Sequence, residues 1–168
     1  MDTPAIERNG RRPRIGVVDD DAGVTELLAG VLEARGWAVR VGASIAAARA
    51  LVDEGLDVLL IDLWLPDGTG VDVARETAGH RDPPEVVIMT AEATLESAVQ
   101  TVSTGASEYL LKPLDLARLR ELLEALLERR RRRELRERAT VALRGQRREA
   151  RRREAAQYGV ARILAEAI

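Results

Sequence analysis

Val58-Leu59-Leu60-Ile61-Asp62-Leu63-Trp64-Leu65-Pro66-Asp67-Gly68-Thr69-Gly70 is the stretch on which the fold turns. Four aliphatic residues in a row, with no polar alternation, read as a strand buried on both faces, as in a parallel sheet covered by helices. The run stops at a carboxylate, breaks in a Pro-Asp-Gly turn and passes into a helical pattern over about 71–78. In open α/β sheets, ligands lie beyond the carboxyl ends of the strands, so Asp62 stands where chemistry is expected.

The same construction recurs. Val17-Val18 ends in Asp19-Asp20-Asp21, Val86-Val87-Ile88-Met89 ends in Thr90, and Tyr109-Leu110-Leu111 ends in Lys112, the only lysine of the chain. These runs place strands at about 14–18, 57–61, 85–89 and 107–111. A helix over about 23–35 carries Val24, Leu27, Leu28, Val31 and Leu32 on one face and ends at Gly36. Residues 37–41 alternate as a half-exposed edge strand, with Trp37 as packing, and Ser44 caps a helix to about 54. A helix near 95–103 stops around Gly105, and Asp115 caps a final one. Strand–helix units in this succession predict an α/β fold of (βα)5 type.

Composition narrows the function. The 168 residues suit one domain plus an appendage, and 46% hydrophobic residues without any Phe predict an aliphatic core. The absence of Cys excludes disulfides and thiolate metal sites. Residues 1–14 lack the apolar centre of a signal peptide, and no stretch is long enough to span a bilayer, so the expected location is the cytoplasm, away from membranes. Charge divides the chain: residues 1–127 hold 12 basic against 22 acidic side chains, residues 128–168 hold 14 against 6.

Four strand ends bring carboxylates, a hydroxyl and one ammonium to a single rim. Asp19, Asp20 and Asp62 repel one another unless a cation or protons neutralise them. A hard divalent ion does so naturally, and Mg2+ takes one or two carboxylates, waters and phosphate oxygens. A carboxylate also serves as a nucleophile toward phosphorus, and phosphoryl transfer then needs mainly an in-line attack and positive charge on the equatorial oxygens. Asp62 would attack, with Mg2+, Lys112 and the Thr90 hydroxyl each facing one oxygen. Taken alone, residues 19–21 read equally well as a helix cap. Tyr109 alone reads as core, and His80, in the breaker-rich turn 80–84, as a solvated loop residue.

The ordered set resembles the receiver domain of two-component response regulators over about 14–127. It comprises Asp19/Asp20, Asp62 with Pro66 and Gly70 at fixed distances, Thr90-Ala91, Tyr109 and Lys112-Pro113. The resemblance implies a doubly wound, flavodoxin-like parallel sheet of order 2-1-3-4-5 and phosphorylation of Asp62 by a sensor histidine kinase or phosphotransfer protein. It also implies Mg2+ held by Asp19, Asp20, Asp62 and the Trp64 carbonyl, and a cis Lys112-Pro113 bond. Thr90 and Tyr109 would form a switch pair that reshapes the face made by the fourth helix, fifth strand and fifth helix. Trp64 departs from the small or polar residue common at that position, and the expectation is that its indole screens the acyl phosphate from water.

Outside that span, residues 1–13 read as a flexible lead-in and residues 128–157 as an Arg-rich helical connector interrupted at Gly145. Residues 158–168 form an amphipathic helix faintly resembling the opening of a GAF-type sensory domain, as in the front of a larger hybrid protein. The connector is expected to transmit or to dimerise together with the fifth helix. A nucleic-acid-binding or structural adaptor is the alternative reading of the arginines at 129–133, but glutamates interleave the wider stretch and no aromatics accompany it. A haloacid-dehalogenase-type phosphohydrolase expects an acid where Trp64 stands. A P-loop is excluded because Lys112 lacks the Gly-x-x-x-x-Gly-Lys setting.

Overall fold

The computed structural model describes residues 11–91 and 105–166, with side chains as far as residue 153. The chain divides into two compact units, Met1–Arg130 and Arg131–Ile168. In the first, β1 Arg14–Val18, β2 Ala38–Gly42, β3 Val58–Asp62, β6 Glu85–Thr90 and β7 Glu108–Leu111 pair in parallel, in the order β2-β1-β3-β6-β7. This is the expected 2-1-3-4-5 sheet. The difference in numbering comes from a miniature antiparallel pair that the sequence reading missed, β4 Trp64–Leu65 with β5 Gly68–Thr69, turned by Pro66-Asp67.

Helices α1 Ala22–Glu33, α2 Ile45–Asp53 and α3 Gly70–Thr77 follow the first three long strands, and the C-terminal helix spans Leu116–Glu166. The helix expected at 95–103 lies outside the described residues.

Side-chain alternation along the strands builds two cores. Ile15, Val17, Val58, Leu60, Val87 and Met89 face Leu28 and Leu32 of α1 and Leu119, Leu123, Leu126 and Leu127 of the C-terminal helix. Val18, Leu59, Ile61, Val86 and Ile88 face Ile45, Ala48, Leu51 and Val52 of α2 and Val71, Val73 and Ala74 of α3. Burying each large aliphatic side chain stabilises the fold by about 1.5–3 kcal/mol, which lets a Phe-free, Leu/Val/Ile interior suffice. The helices are capped as read: Ser44 Oγ accepts from Ala47 N at 3.1 Å and Asp115 Oδ1 from Ala117 N at 2.9 Å.

Several expectations need correction. Leu27 is 57% exposed, and the buried face of α1 is Thr25, Leu28 and Leu32, the Thr25 hydroxyl donating to Ala22 O at 2.9 Å. Residues 11–13 belong to the fold rather than to a lead-in, since Pro13 O accepts from Ala38 N at 2.8 Å and Arg11 pairs with Asp57 at 3.4 Å. The helix passes through Gly145 without a break: glycine weakens a helix interior by about 1 kcal/mol, too little to stop one flanked by good helix formers.

Candidate functional site: an acidic rim with one lysine

The carboxyl ends of β1, β3, β6 and β7 meet at one edge of the sheet. Asp19, just past β1, is buried, its backbone N–H donating to Gly42 O at 3.1 Å. Asp21, the third acid of the run, is the α1 cap, accepting from Gly23 N at 2.8 Å and Val24 N at 3.4 Å. The bland reading of the triplet therefore holds for Asp21, and Asp19 and Asp20 are left for the rim. One oxygen from each of Asp19, Asp20 and Asp62 lies within 4.8 Å of the others, with Asp19 buried, Asp62 half-buried and Asp20 exposed.

Lys112 closes the cluster. Its Nζ is 2.5 Å from Asp62 Oδ2 and 2.7 Å from Asp19 Oδ2. The first contact is a directed hydrogen bond; the second is an ion pair, and Asp19 Oδ2 is buried without an aligned donor. Burial works against the ammonium, but its close contacts with the negatively charged Asp19 and Asp62 outweigh it and hold Lys112 above the ordinary lysine range. The backbone sets the lysine in place, Lys112 N donating to Thr90 O at 2.7 Å, and the Lys112-Pro113 peptide is cis.

The Asp62 loop is shaped by contact with its own strand end. Trp64 N donates to Asp62 Oδ1 at 3.2 Å, Leu63 N to Met89 O at 2.8 Å, and Gly70 N to Leu63 O at 2.9 Å. A Cβ on residue 70 would sit 2.4 Å from Asp62 O, so only glycine lets α3 begin this close to the acid. Trp64 is 66% exposed beside Asp62. Asp67, at the tip of the miniature hairpin, accepts from Ile45 N at 2.7 Å and Ala46 N at 3.1 Å and so ties the loop to the start of α2.

Thr90 is buried at the end of β6, beside Leu111 in the register. Tyr109, two residues before Leu111, packs against the α2/α3 core, and its hydroxyl is buried without a hydrogen-bond partner. His80 is exposed, and Trp37 is buried in the α1 core. The buried acids Asp57 and Glu85 escaped the sequence reading; both stand at the beginnings of apolar runs, where a charged residue looks like a solvated strand end.

A family model described as a response regulator receiver domain matches residues 15–124. The chain belongs to that family. Acid tolerance regulatory protein ActR of Rhizobium meliloti is 37% identical over 114 residues, covering 67% of this chain and 57% of its own length. Response regulator protein PilR of Pseudomonas aeruginosa is 35% identical over 117 residues, 69% of this chain and 26% of PilR. The chain thus spans between about a quarter and somewhat over half of these relatives. A CheY-like receiver domain from Methanospirillum hungatei JF-1 superposes with a TM-score of 0.69 at 26% identity, over 73% of this chain and 98% of that structure. Among the described residues of this receiver domain, no helix is long and apolar enough to cross a membrane.

The rim fits a divalent ion on its own chemistry. It offers hard oxygen donors only, three carboxylates against one ammonium, and a buried Asp19 oxygen without an aligned donor.

Proposed function

We propose that Asp62 is the phosphoacceptor of a two-component pathway, taking a phosphoryl group from the phosphohistidine of a sensor histidine kinase or phosphotransfer protein. One observation carries this reading: Lys112 Nζ bridges Asp62 and Asp19 at 2.5 and 2.7 Å, at the rim where Asp20 completes the acidic cluster.

An Asp62 carboxylate oxygen attacks phosphorus in line, the phosphorus–nitrogen bond breaks, and the imidazole leaves and takes up a proton; the product is an acyl phosphate. Asp19, Asp20, Asp62 and the Trp64 carbonyl would hold Mg2+, which supplies charge neutralisation to the phosphoryl oxygens when bound. Lys112 moves from its carboxylate partners to a phosphoryl oxygen as a compact cation, and the Thr90 hydroxyl donates to another. Drawing Thr90 toward the phosphoryl group vacates space beside it. Tyr109 is suited to fill that space, because its partnerless buried hydroxyl is costly where it stands and a new rotamer offers it a partner. The rearranged surface would signal through the C-terminal helix, alone or in a homodimer.

Incubation with Mg2+ and acetyl phosphate, read by intact mass, is the test. Wild type gains one phosphoryl group and Asp62→Ala gains none. Equal labelling of both chains would remove Asp62 from the chemistry.

A further inference from the structure

Leu116–Glu166 is one helix, continuous through Gly145. At 3.6 residues per turn, Arg144, Arg147, Arg148 and Arg151 then fall within an arc of about 100°. They line one open hollow together with Val141 and Gly145. A break at Gly145 would have set Arg144 apart from the other three. The glutamates that interleave the arginines, Glu128, Glu134 and Glu137, all precede Arg138, and residues 139–153 hold six arginines and one acid, Glu149. That acid lies about 140° round the helix from Arg144.

The arginines of this helix are of two kinds. Arg130, 1% exposed, pairs with Asp82 Oδ1 at 2.6 Å and Asp57 Oδ1 at 3.5 Å, and Arg129 pairs with Glu85. These two fasten the helix beside the starts of β3 and β6. Arg144, Arg147, Arg148 and Arg151 are exposed and have no ion-pair or hydrogen-bond partner among the described residues.

Such a face offers a partner little except charge. Val141 is the one apolar side chain among the described residues lining the hollow. Exposed ion pairs with protein carboxylates contribute about 0–1 kcal/mol each, too little to hold a protein partner without an apolar centre. Lying in a bilayer surface needs bulky apolar residues on the opposite face, where Leu135, Ala139, Ala142, Gln146 and Arg153 stand instead. Duplex DNA, by contrast, binds through charge alone, because each neutralised phosphate releases condensed counterions. Its major groove, about 12 Å wide, admits a helix, whereas that of duplex RNA is too narrow. Residues 128–157 contain no aromatic side chain on which unpaired bases could stack.

We propose that the face formed by Arg144, Arg147, Arg148 and Arg151 binds the phosphates of duplex DNA without reading its sequence. This binding is independent of the chemistry at Asp62.

The full chain is titrated into a short fluorescein-labelled DNA duplex of arbitrary sequence and followed by anisotropy. Four phosphate contacts predict a slope of log K against log salt of about −3.6, a loss of roughly 150-fold between about 50 and 200 mM salt. Arg→Gln at all four positions should weaken binding and flatten the slope by about 0.9 per arginine removed. Arg→Lys at the same positions, which keeps the charge, should preserve both. Wild type that leaves the DNA free at about 50 mM salt, whether it binds itself, phosphatidylglycerol vesicles or nothing, overturns the proposal. So does a Gln variant with unchanged affinity and slope, and equal or tighter binding of the matching RNA duplex overturns the assignment to DNA.

Discussion

Lys112 Nζ stands 2.5 Å from Asp62 Oδ2 and 2.7 Å from Asp19 Oδ2, so the rim's lysine occupies the region that a divalent ion and a phosphoryl group would share. Cation competes with cation there. Replacing Lys112 with Met should therefore tighten Mg2+ binding, on the order of tenfold given the Coulomb energy of charges a few ångströms apart at a partly solvated site, while abolishing stable phosphorylation. Titration followed by the indole fluorescence of Trp64 reads the affinity, and weaker binding in Lys112→Met would contradict the arrangement.

The same contacts set a pH dependence. The folded pKa of Lys112 lies above its ordinary value of 10.5, so its contribution to stability is complete below that pH and is lost as pH climbs through the raised folded value. Denaturant unfolding should show a constant gap between wild type and Lys112→Met from neutral pH to about 10.5, narrowing only above it. A gap that closed near neutrality would mean the ammonium is not held by the two acids.

Gly70→Ala tests how tightly the loop is built. The new Cβ would meet the Asp62 carbonyl oxygen at 2.4 Å, a backbone contact that no side-chain rotation relieves. Overpacking of this kind costs roughly 1–3 kcal/mol, and here the displaced group is the acid itself. Expected are a lower Tm and a phosphorylation rate reduced more than the loss of folded fraction explains. A rate that simply tracked stability would assign Gly70 a structural role only.

The sheet was legible in the sequence because its central strands are unbroken apolar runs, which only burial on both faces makes sense of, and because each ends in a polar group at the same edge. Asp19, Asp20, Asp62 and Lys112 were legible for that reason. Arg130, Asp57 and Glu85 were not: a charged residue in an arginine run or at a strand's first position carries no local sign of burial, and its partners lie 44 to 73 residues away, as in Arg130–Asp57 and Arg129–Glu85. Leu27 was misassigned because α1 presents more aliphatic side chains than its neighbours can cover. The break at Gly145 failed because one glycine is a weak signal inside a long run of helix formers.

Asp67 offers a second pH-dependent test, away from the rim. Hydrogen bonds from Ile45 N and Ala46 N hold its carboxyl below the ordinary value of 3.8. A depressed carboxylate stabilises the fold above its unfolded pKa and loses that effect as pH falls through the folded one. Asp67→Ala should lower Tm at pH 7 and leave Tm nearer wild type as the pH drops below 3.8. A Tm difference independent of pH would place the effect in packing rather than in the charge.

Trp64 sets the last expectation, the lifetime of the phosphorylated state. Its backbone N–H lies 3.2 Å from Asp62 Oδ1, and its side chain, two residues along the chain from the acid, is 66% exposed. Acyl phosphates decay by water attack, and an apolar ring beside the phosphoryl group thins the water that reaches it. Being so exposed, the ring is a partial screen, so the expected effect is modest: Trp64→Asn should shorten the lifetime on the order of three- to tenfold, below about 1.4 kcal/mol of barrier, while Trp64→Phe stays near wild type. Intact mass at intervals after removal of acetyl phosphate measures the decay, with the initial extent of labelling as the control for uptake. An Asn variant that keeps its phosphoryl group as long as wild type would show that the indole does not govern access of water to Asp62.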